Sequence, residues 1–283
     1  MILPISQAAY AYHHDLTKGL AIYLYLKFYS NSKISRQSPV FTQLRKDLQI
    51  KDQRTLDKHL SLLIDHKWIS YSTASGIYFL RGKDYIRQLH EFRSRQGVEV
   101  TPKDLSHFQV FLAAVIIGKE VNDQRFYWDV AKRRGLKKAP DKWLGAKHSA
   151  ASSYPSKRPD YFGLCNKTIA RLLGCKQTRA CVLKHKAAEL GYLKISHRYK
   201  DIIVLDKPDF ALKTMLYEQF AGMEGRVRAW RIWVNGEKYV KFLLQLHDEI
   251  SCHLIFKRIE KYNAIHLPKE QAKSITIAAA NAA

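Results

Sequence analysis

The chain has 283 residues, of which 46% are apolar, so it is long enough for two domains and too apolar for global disorder. Lys and Arg number 48 against 25 Asp and Glu, and the formal net charge of +23 repels itself unless a polyanion such as DNA, RNA or an anionic membrane is bound. The longest apolar stretches are too short for a membrane span, and Met1–Tyr10 lacks the basic start of a secretory signal, so we expect neither a membrane anchor nor export.

The first third of the chain has the pattern of three helices closed by a hairpin. Residues 16–29 are apolar at helical spacing and predict a well-buried first helix, and residues 41–48 predict a short second helix. A third helix is predicted over residues 53–66, with its leucines on one face. Residues 68–72 and 77–80 predict two strands joined by a turn-rich tip.

The same order of elements recurs downstream. Residues 108–116 form one apolar helical face, and a long basic insertion covers 120–160. Residues 166–174 and 178–190 predict the second and third helices of this copy. The closing strands are predicted at 192–196 and 202–205, with the tip of their hairpin at 197–201.

Beyond residue 206 the pattern changes to a helix at 210–220 followed by strands. An Asn235-Gly236 turn separates two alternating runs, which is a strong hairpin signal. A third run at 250–259 completes a predicted three-stranded antiparallel sheet of unassigned role. Its basic residues are expected on the outer face: Arg226, Arg228, Arg231, Lys238 and Lys241. Residues 263–283 carry no amphipathic pattern and predict a flexible tail.

Cysteine usage indicates a reducing compartment. The four cysteines include no CxxC pair and lack the density of a disulfide framework. A zinc site made from Cys165, Cys175, Cys181 and His185 would lack the tight loops of structural zinc sites, so we expect core cysteines and no metal. We therefore expect a cytoplasmic, nucleoid-associated protein without a cofactor.

Two segments carry a resemblance to a known fold family. Laid together from Leu44 and Ile169, the two copies align without gaps, in pattern rather than in identity. The segments QRTLDKHLSLLIDHKWISYS and TRACVLKHKAAELGYLKIS each have the layout of a recognition helix that runs into the first strand of a wing. On these residues the chain resembles the winged-helix superfamily over about 15–81 and 105–206.

The resemblance implies an α+β, mainly helical fold with two winged-helix (helix-turn-helix) units and a small C-terminal antiparallel β element. The implied domains are 1–92, 93–206 with the basic insertion, 207–262, and the tail. A doubled arrangement is similar to plasmid and phage replication initiators, which bind repeated origin sequences. It is also similar to transcriptional regulators and excision factors of mobile elements, and fold likeness alone is a weak warrant for function.

Candidate DNA contacts follow from the third helices, which a winged helix places in the major groove. In the first unit the polar residues at the start of this helix are Lys51, Gln53, Arg54 and Lys58. The second unit offers Lys176, Gln177, Thr178, Arg179 and Lys186 on the helix, with Arg198 and Lys200 at the wing. Gln and Arg form paired hydrogen bonds with adenine and guanine, whereas an ordinary solvated helix face is the alternative explanation.

The insertion is the most basic stretch of the chain. Its candidate phosphate-binding residues are Lys132, Arg133, Arg134, Lys137 and Lys138, and aromatic residues are interleaved among them. A basic arm of this kind tracks the DNA backbone, and its aromatics would stack on single-stranded bases. We predict double-stranded DNA as the partner, single-stranded DNA as a further ligand of the insertion, and host replication or transcription proteins as associates.

The sequence carries no convincing catalytic motif. The chain has no GxxxxGK[ST] phosphate loop and no clustered carboxylates for a two-metal nuclease, and the HxxR at His90–Arg93 is expected by chance in so basic a chain. We therefore predict sequence-specific DNA binding without enzymatic activity. An RNA-binding or protein-docking scaffold is the alternative of another class.

Overall fold

The computed structural model describes residues 1–92, 96–131, 162–205, 227–245 and 248–259, and within them the chain is an α+β fold. Its helices are α1 (Ile5–His13), α2 (Thr17–Tyr29), α3 (Pro39–Asp47), α4 (Gln53–Asp65), α5 (Lys83–Leu89), α6 (Phe108–Phe126), α7 (Asn166–Leu173) and α8 (Gln177–Glu189). A 3-10 turn at Pro102–Leu105 precedes α6, and a π-helical turn at Tyr127–Ala131 follows it.

The strands form four small antiparallel sheets. They are β1 (Ile2–Pro4), β2 (Lys33–Ser35), β3 (Ile69–Ser72), β4 (Ile77–Leu80), β5 (Gln96–Glu99), β6 (Leu193–Ser196), β7 (Tyr199–Leu205), β8 (Val227–Val234), β9 (Glu237–Gln245), β10 (Glu249–Cys252) and β11 (Phe256–Arg258). The strand orders are β1-β5-β11, β2-β4-β3, β10-β6 and β7-β9-β8. The predicted α+β class is confirmed. Most of the predicted insertion, the helix at 210–220 and the tail lie outside the described residues.

Residues 17–80 form a first repeat of three helices and three strands. Every residue of α2 from Gly19 to Leu26 is buried, so this helix is the centre of the repeat. The Ser38 side chain caps α3 ahead of a proline at the first helical position. Asp52 caps α4 by accepting a 2.6 Å hydrogen bond from the Thr55 backbone. The β3–β4 hairpin predicted over 68–80 is confirmed, and β2 adds a third strand beside β4.

Residues 108–196 with β10 form a second repeat of the same order. Here α6, α7 and α8 correspond to α2, α3 and α4, and β6 follows α8 as β3 follows α4. The partner of β6 is β10, with Leu193 opposite Cys252. An isolated bridge joins Gly163 to Glu249 on the other side of β10, as Ser35 joins Ile77 in the first repeat.

Backbone hydrogen bonds support this correspondence in detail. The Trp68 amide donates to the Leu63 carbonyl at 2.9 Å, and Tyr192 donates to Ala187 at the same distance. The Arg81 amide donates to the Trp68 carbonyl at 3.0 Å, and the His253 amide donates to the Tyr192 carbonyl at the same distance. In both repeats one residue between the third helix and the following strand has a left-handed backbone conformation, with φ of 58° at Lys67 and 76° at Gly191. Trp68 and Tyr192 therefore occupy equivalent positions.

The hairpin predicted between 192–196 and 202–205 is wrong. β6 pairs with β10, and β7 pairs instead with β9, so residues 197–248 are inserted between the two strands of the second repeat. In the first repeat residues 73–76 make the same connection. The strand pattern was correct, but the partner of each strand lies far away in the chain, where periodicity carries no information.

The predicted C-terminal sheet is partly correct. The hairpin at Asn235-Gly236 is confirmed between β8 and β9, and both turn residues have positive φ, 49° and 85°. The third strand is β7, not residues 250–259, because β10 and β11 pair elsewhere in the fold.

The two repeats share one hydrophobic core. α6 packs against both α1 and α2, and a single cluster of buried residues extends through both repeats. One sheet joins β1 at the start of the chain, β5 between the repeats and β11 near the C-terminal end. The predicted domain boundaries at 92 and 206 thus fall between strands that pair with one another.

Candidate nucleic-acid interface

The polar flank of α4 is exposed. Leu56, Leu60 and Leu63 are buried against the core, which turns the opposite side of the helix outward. All four residues proposed from the sequence in this unit are exposed: Lys51, Gln53, Arg54 and Lys58. At helical spacing, the outermost stripe opposite the leucines is Arg54, Lys58, Ser61 and Asp65.

A cleft of about 490 Å³ lies beside α4, between α3 and the β3–β4 hairpin. The Asp57 carboxylate faces this cleft, where Gln53 Nε2 donates to Asp57 Oδ1 at 3.0 Å. Arg36 lies 3.9 Å from the same carboxylate, and Arg45 also lines the cleft. Sequence reasoning missed both arginines, although Arg36 precedes the short second helix and Arg45 lies in its last turn. The cleft therefore combines two cations and one acid beside the α4 flank.

The α8 flank is also exposed, but its chemistry differs. Ala180, Leu183 and Ala187 are buried, and the five predicted residues of this helix region are exposed: Lys176, Gln177, Thr178, Arg179 and Lys186. Arg179 donates to Gln109 of α6 at 2.7 Å, which holds it at the side of the helix. The outermost stripe is Thr178, Val182, His185 and Glu189.

The two flanks can be compared residue by residue. Ile50 and Cys175 occupy equivalent positions after the second helices. The Ile50 amide donates to the Arg45 carbonyl at 2.8 Å, and the Cys175 amide donates to the Ala170 carbonyl at 3.0 Å. The first repeat then has one more residue before its third helix, so the gapless alignment is wrong by one position there. With this correction the equivalent pairs are Gln53 and Gln177, Arg54 and Thr178, Asp57 and Cys181, Lys58 and Val182, and Leu60 and Lys184.

A set of ion pairs closes the base of the 197–248 insertion. Lys184 donates to Asp248, both being buried, and the ring of His197 lies 2.7 Å from the second oxygen of that carboxylate. Burial opposes ionisation of Asp248, but hydrogen bonds from Lys184 and His197 outweigh it and lower the pKa of this carboxyl below its usual value. Arg198 pairs with Glu249 of β10. Charged contacts therefore hold the two ends of the insertion together.

The remaining predicted contacts are not described by the structure. The side chain of Lys200 lies outside the described residues, as do all of Lys132, Arg133, Arg134, Lys137 and Lys138. In the part of the chain that is described, no group of three or more His, Cys, Asp or Glu side chains is placed to hold a metal ion. Nor does any helix in those ranges have the length and apolar character needed to cross a bilayer.

Comparison with family models, with curated proteins and with solved structures finds no match for this chain.

Proposed function

We propose that this protein binds double-stranded DNA sequence-specifically through two winged-helix units, in which α4 and α8 enter the major groove. The observation that carries the proposal is the repeated scheme of three helices and a sheet in which the third helix keeps its polar flank exposed. In winged-helix proteins this helix contacts base edges. Arg54, Lys58 and Gln53 on α4 have the side chains that such contacts require.

The charge of the chain supports the same proposal. A net charge of +23 provides the sequence-independent attraction to phosphates that most DNA-binding proteins use. Lys51 and Lys176 precede the two third helices, next to helix N-termini that attract anions. We assign phosphate binding to these lysines, to Lys200 and to the basic residues at 132–138. The proposal assigns no enzymatic step to the chain.

Two units that share one hydrophobic core would bind neighbouring half-sites as a single molecule. Once the first unit is bound, the second is presented to the DNA at high effective concentration, so an asymmetric site is bound without dimerisation. Replication initiation on a plasmid or phage is the process that the winged-helix resemblance favours. Regulation or excision within a mobile element is its alternative.

The decisive experiment selects bound fragments from random and genomic DNA with the full chain. We expect one duplex sequence to be enriched and to remain bound at 200 mM salt while a scrambled duplex is released. Equal, steeply salt-dependent binding to duplex DNA, single-stranded DNA and RNA would contradict the proposal. Repeats near an origin would support initiation, and a single promoter site would support regulation.

A further inference from the structure

The third helices of the two repeats expose different chemistry at equivalent positions. Where α4 presents Arg54 and Lys58, α8 presents Thr178 and Val182. Val182 is 43% exposed although Ala180, Leu183 and Ala187 of the same helix are buried. Val182 is thus an apolar side chain in an exposed stripe whose other members, Thr178, His185 and Glu189, are polar or charged.

The residues beside the exposed stripes of α4 and α8 also differ in charge. In α4 the Gln53 carboxamide donates to Asp57 at 3.0 Å. In α8 Cys181 stands at the position of Asp57, so Gln177 lacks that carboxylate partner. Arg179 follows Thr178 on α8, and its guanidinium donates a hydrogen bond to Gln109 of α6 at the side of the helix. The stripe positions Thr178 and Val182 of α8 therefore carry no charge, and Arg179 lies beside them, bound to Gln109.

We infer that the two helices read different base pairs, so that the target is asymmetric: α4 contacts guanine through Arg54, and α8 contacts A·T pairs, with Gln177 at one pair and Val182 at another. This inference rests on the proposed DNA binding. Arg forms two hydrogen bonds with guanine O6 and N7, and Gln forms two with adenine N6 and N7. Val can form none, but it makes apolar contact with the C5 methyl group that only thymine carries in the major groove.

The alternative in which both helices read the same half-site does not fit these positions. A repeated half-site requires equivalent donors and acceptors on the two helices, whereas Lys58 and Val182 share no hydrogen-bonding group. The Lys58 ammonium can pair with a phosphate or donate hydrogen bonds to guanine, whereas Val182 would leave either of them unpaired. The half-site facing α4 is therefore expected to be richer in G·C and the half-site facing α8 richer in A·T.

The test replaces thymine by deoxyuridine, one position at a time, in the duplex that the full chain selects. This change removes only the C5 methyl group and leaves base pairing and every hydrogen-bonding group intact. We expect a loss of about fourfold in affinity at one thymine of the α8 half-site, the value of one buried methyl-sized apolar group. Substitution in the α4 half-site is expected to have no effect.

Protein variants locate the contact. Val182→Ala removes two methyl groups and should reduce the affinity difference between the thymine and deoxyuridine duplexes, and because Val182 is 43% exposed its unfolding midpoint should match that of the unmodified protein. Arg54→Ala should lose guanine preference in the other half-site and keep the deoxyuridine effect. A selected duplex whose affinity is unchanged by deoxyuridine at every position overturns the inference but leaves DNA binding intact. Failure to select any duplex overturns the proposed function itself.

Discussion

Lys184 of α8 and Asp248, the residue before β10, form an ion pair that is buried in the second repeat. The equivalent of Lys184 in the first repeat is Leu60, which is 3% exposed. A lysine can occupy this core position because Asp248 neutralises it, and Asp248 is the last residue of the 197–248 insertion. The pair thus couples the third helix to the strand that closes the repeat.

Replacing Lys184 with leucine, the residue of the first repeat, should destabilise the protein by about 3–5 kcal/mol. The substitution restores an apolar core position but leaves the buried Asp248 carboxylate without its lysine, with the half-exposed His197 ring as its remaining partner. Chemical denaturation measures the change. The double variant with Asp248→Leu should regain most of the lost stability, since an apolar pair replaces the ion pair. Equal loss in the single and double variants would show that the pair is not the cause.

Gly118 of α6 is required by close packing against β10. A Cβ atom at this position would overlap the Sγ atom of Cys252, although glycine within a helix normally costs about 1 kcal/mol relative to alanine. We expect Gly118→Ala to destabilise the protein by about 1–3 kcal/mol, measured by thermal or chemical unfolding. Gly19→Ala in α2 is the matched control. Its Cβ would make ordinary contact with Leu63 at 3.4 Å, so it should be neutral or stabilising.

His90 makes folding stability depend on pH. Trp68 Nε1 donates to His90 Nε2 at 3.0 Å, and an indole can only donate, so this nitrogen carries no proton even though it lies 3.2 Å from the His66 carbonyl. Burial lowers the pKa of His90 from 6.5 to about 4. Burial, followed by the charge of His14, also lowers the pKa of His66.

The direction of the pH effect follows from which state binds the proton first. In the unfolded chain His90 binds a proton below about pH 6.5, whereas in the folded protein it does so only below about pH 4. Folding stability therefore falls as the pH falls through this window. His90→Gln keeps an acceptor for Trp68 without a titrating ring. Denaturation at pH 7 and pH 5 should show a smaller loss for this variant, by on the order of 1–2 kcal/mol. Equal losses would rule His90 out.

Asp57 is expected to weaken DNA binding by the unmodified protein. Its carboxylate holds Gln53 and lies near Arg36, and it places a negative charge beside the proposed phosphate path. Asp57→Asn should raise affinity for duplex DNA about fivefold, in line with about 1 kcal/mol for one pair of like charges in water. Fluorescence anisotropy measures the effect. Asp65→Asn, at the far end of the same helix, changes the net charge equally and should have a smaller effect. Equal gains would indicate net charge alone.

Substitutions of Lys51 and Arg54 are expected to affect DNA binding in different ways. Lys51→Ala should weaken binding to all duplexes alike and reduce the slope of log affinity against log salt by about one, because it removes a phosphate contact. Arg54→Ala should cost about 1–3 kcal/mol on the selected sequence and relax the preference at one base pair. Titrations at several salt concentrations on selected and scrambled duplexes separate the two. If Lys51→Ala alters sequence preference, the assignment of these roles is wrong.

Local pattern was enough for most of the helices and for two of the hairpins. The leucines of α4 recur at helical spacing, Asp52 is a favoured capping residue, and Asn235-Gly236 supplies the positive φ of a tight turn. Each of these signals depends on residues a few positions apart, so it can be predicted from the sequence alone. The exposed flank of α4 follows directly, because burying one side of a helix exposes the other.

The partners of the strands were decided only by the tertiary structure. β6 has the pattern of a hairpin strand, yet it pairs with β10 across the whole 197–248 insertion. Lys184 occupies a core position opposite a buried acid, but no local rule selects Asp248 among the 25 acidic residues of the chain. The sequence by itself determined most of the helices, though not α1 or α5, and which sides they bury, since these depend on neighbouring residues. Folding decided which distant strands and charges meet, since that depends on how all the buried surfaces fit together.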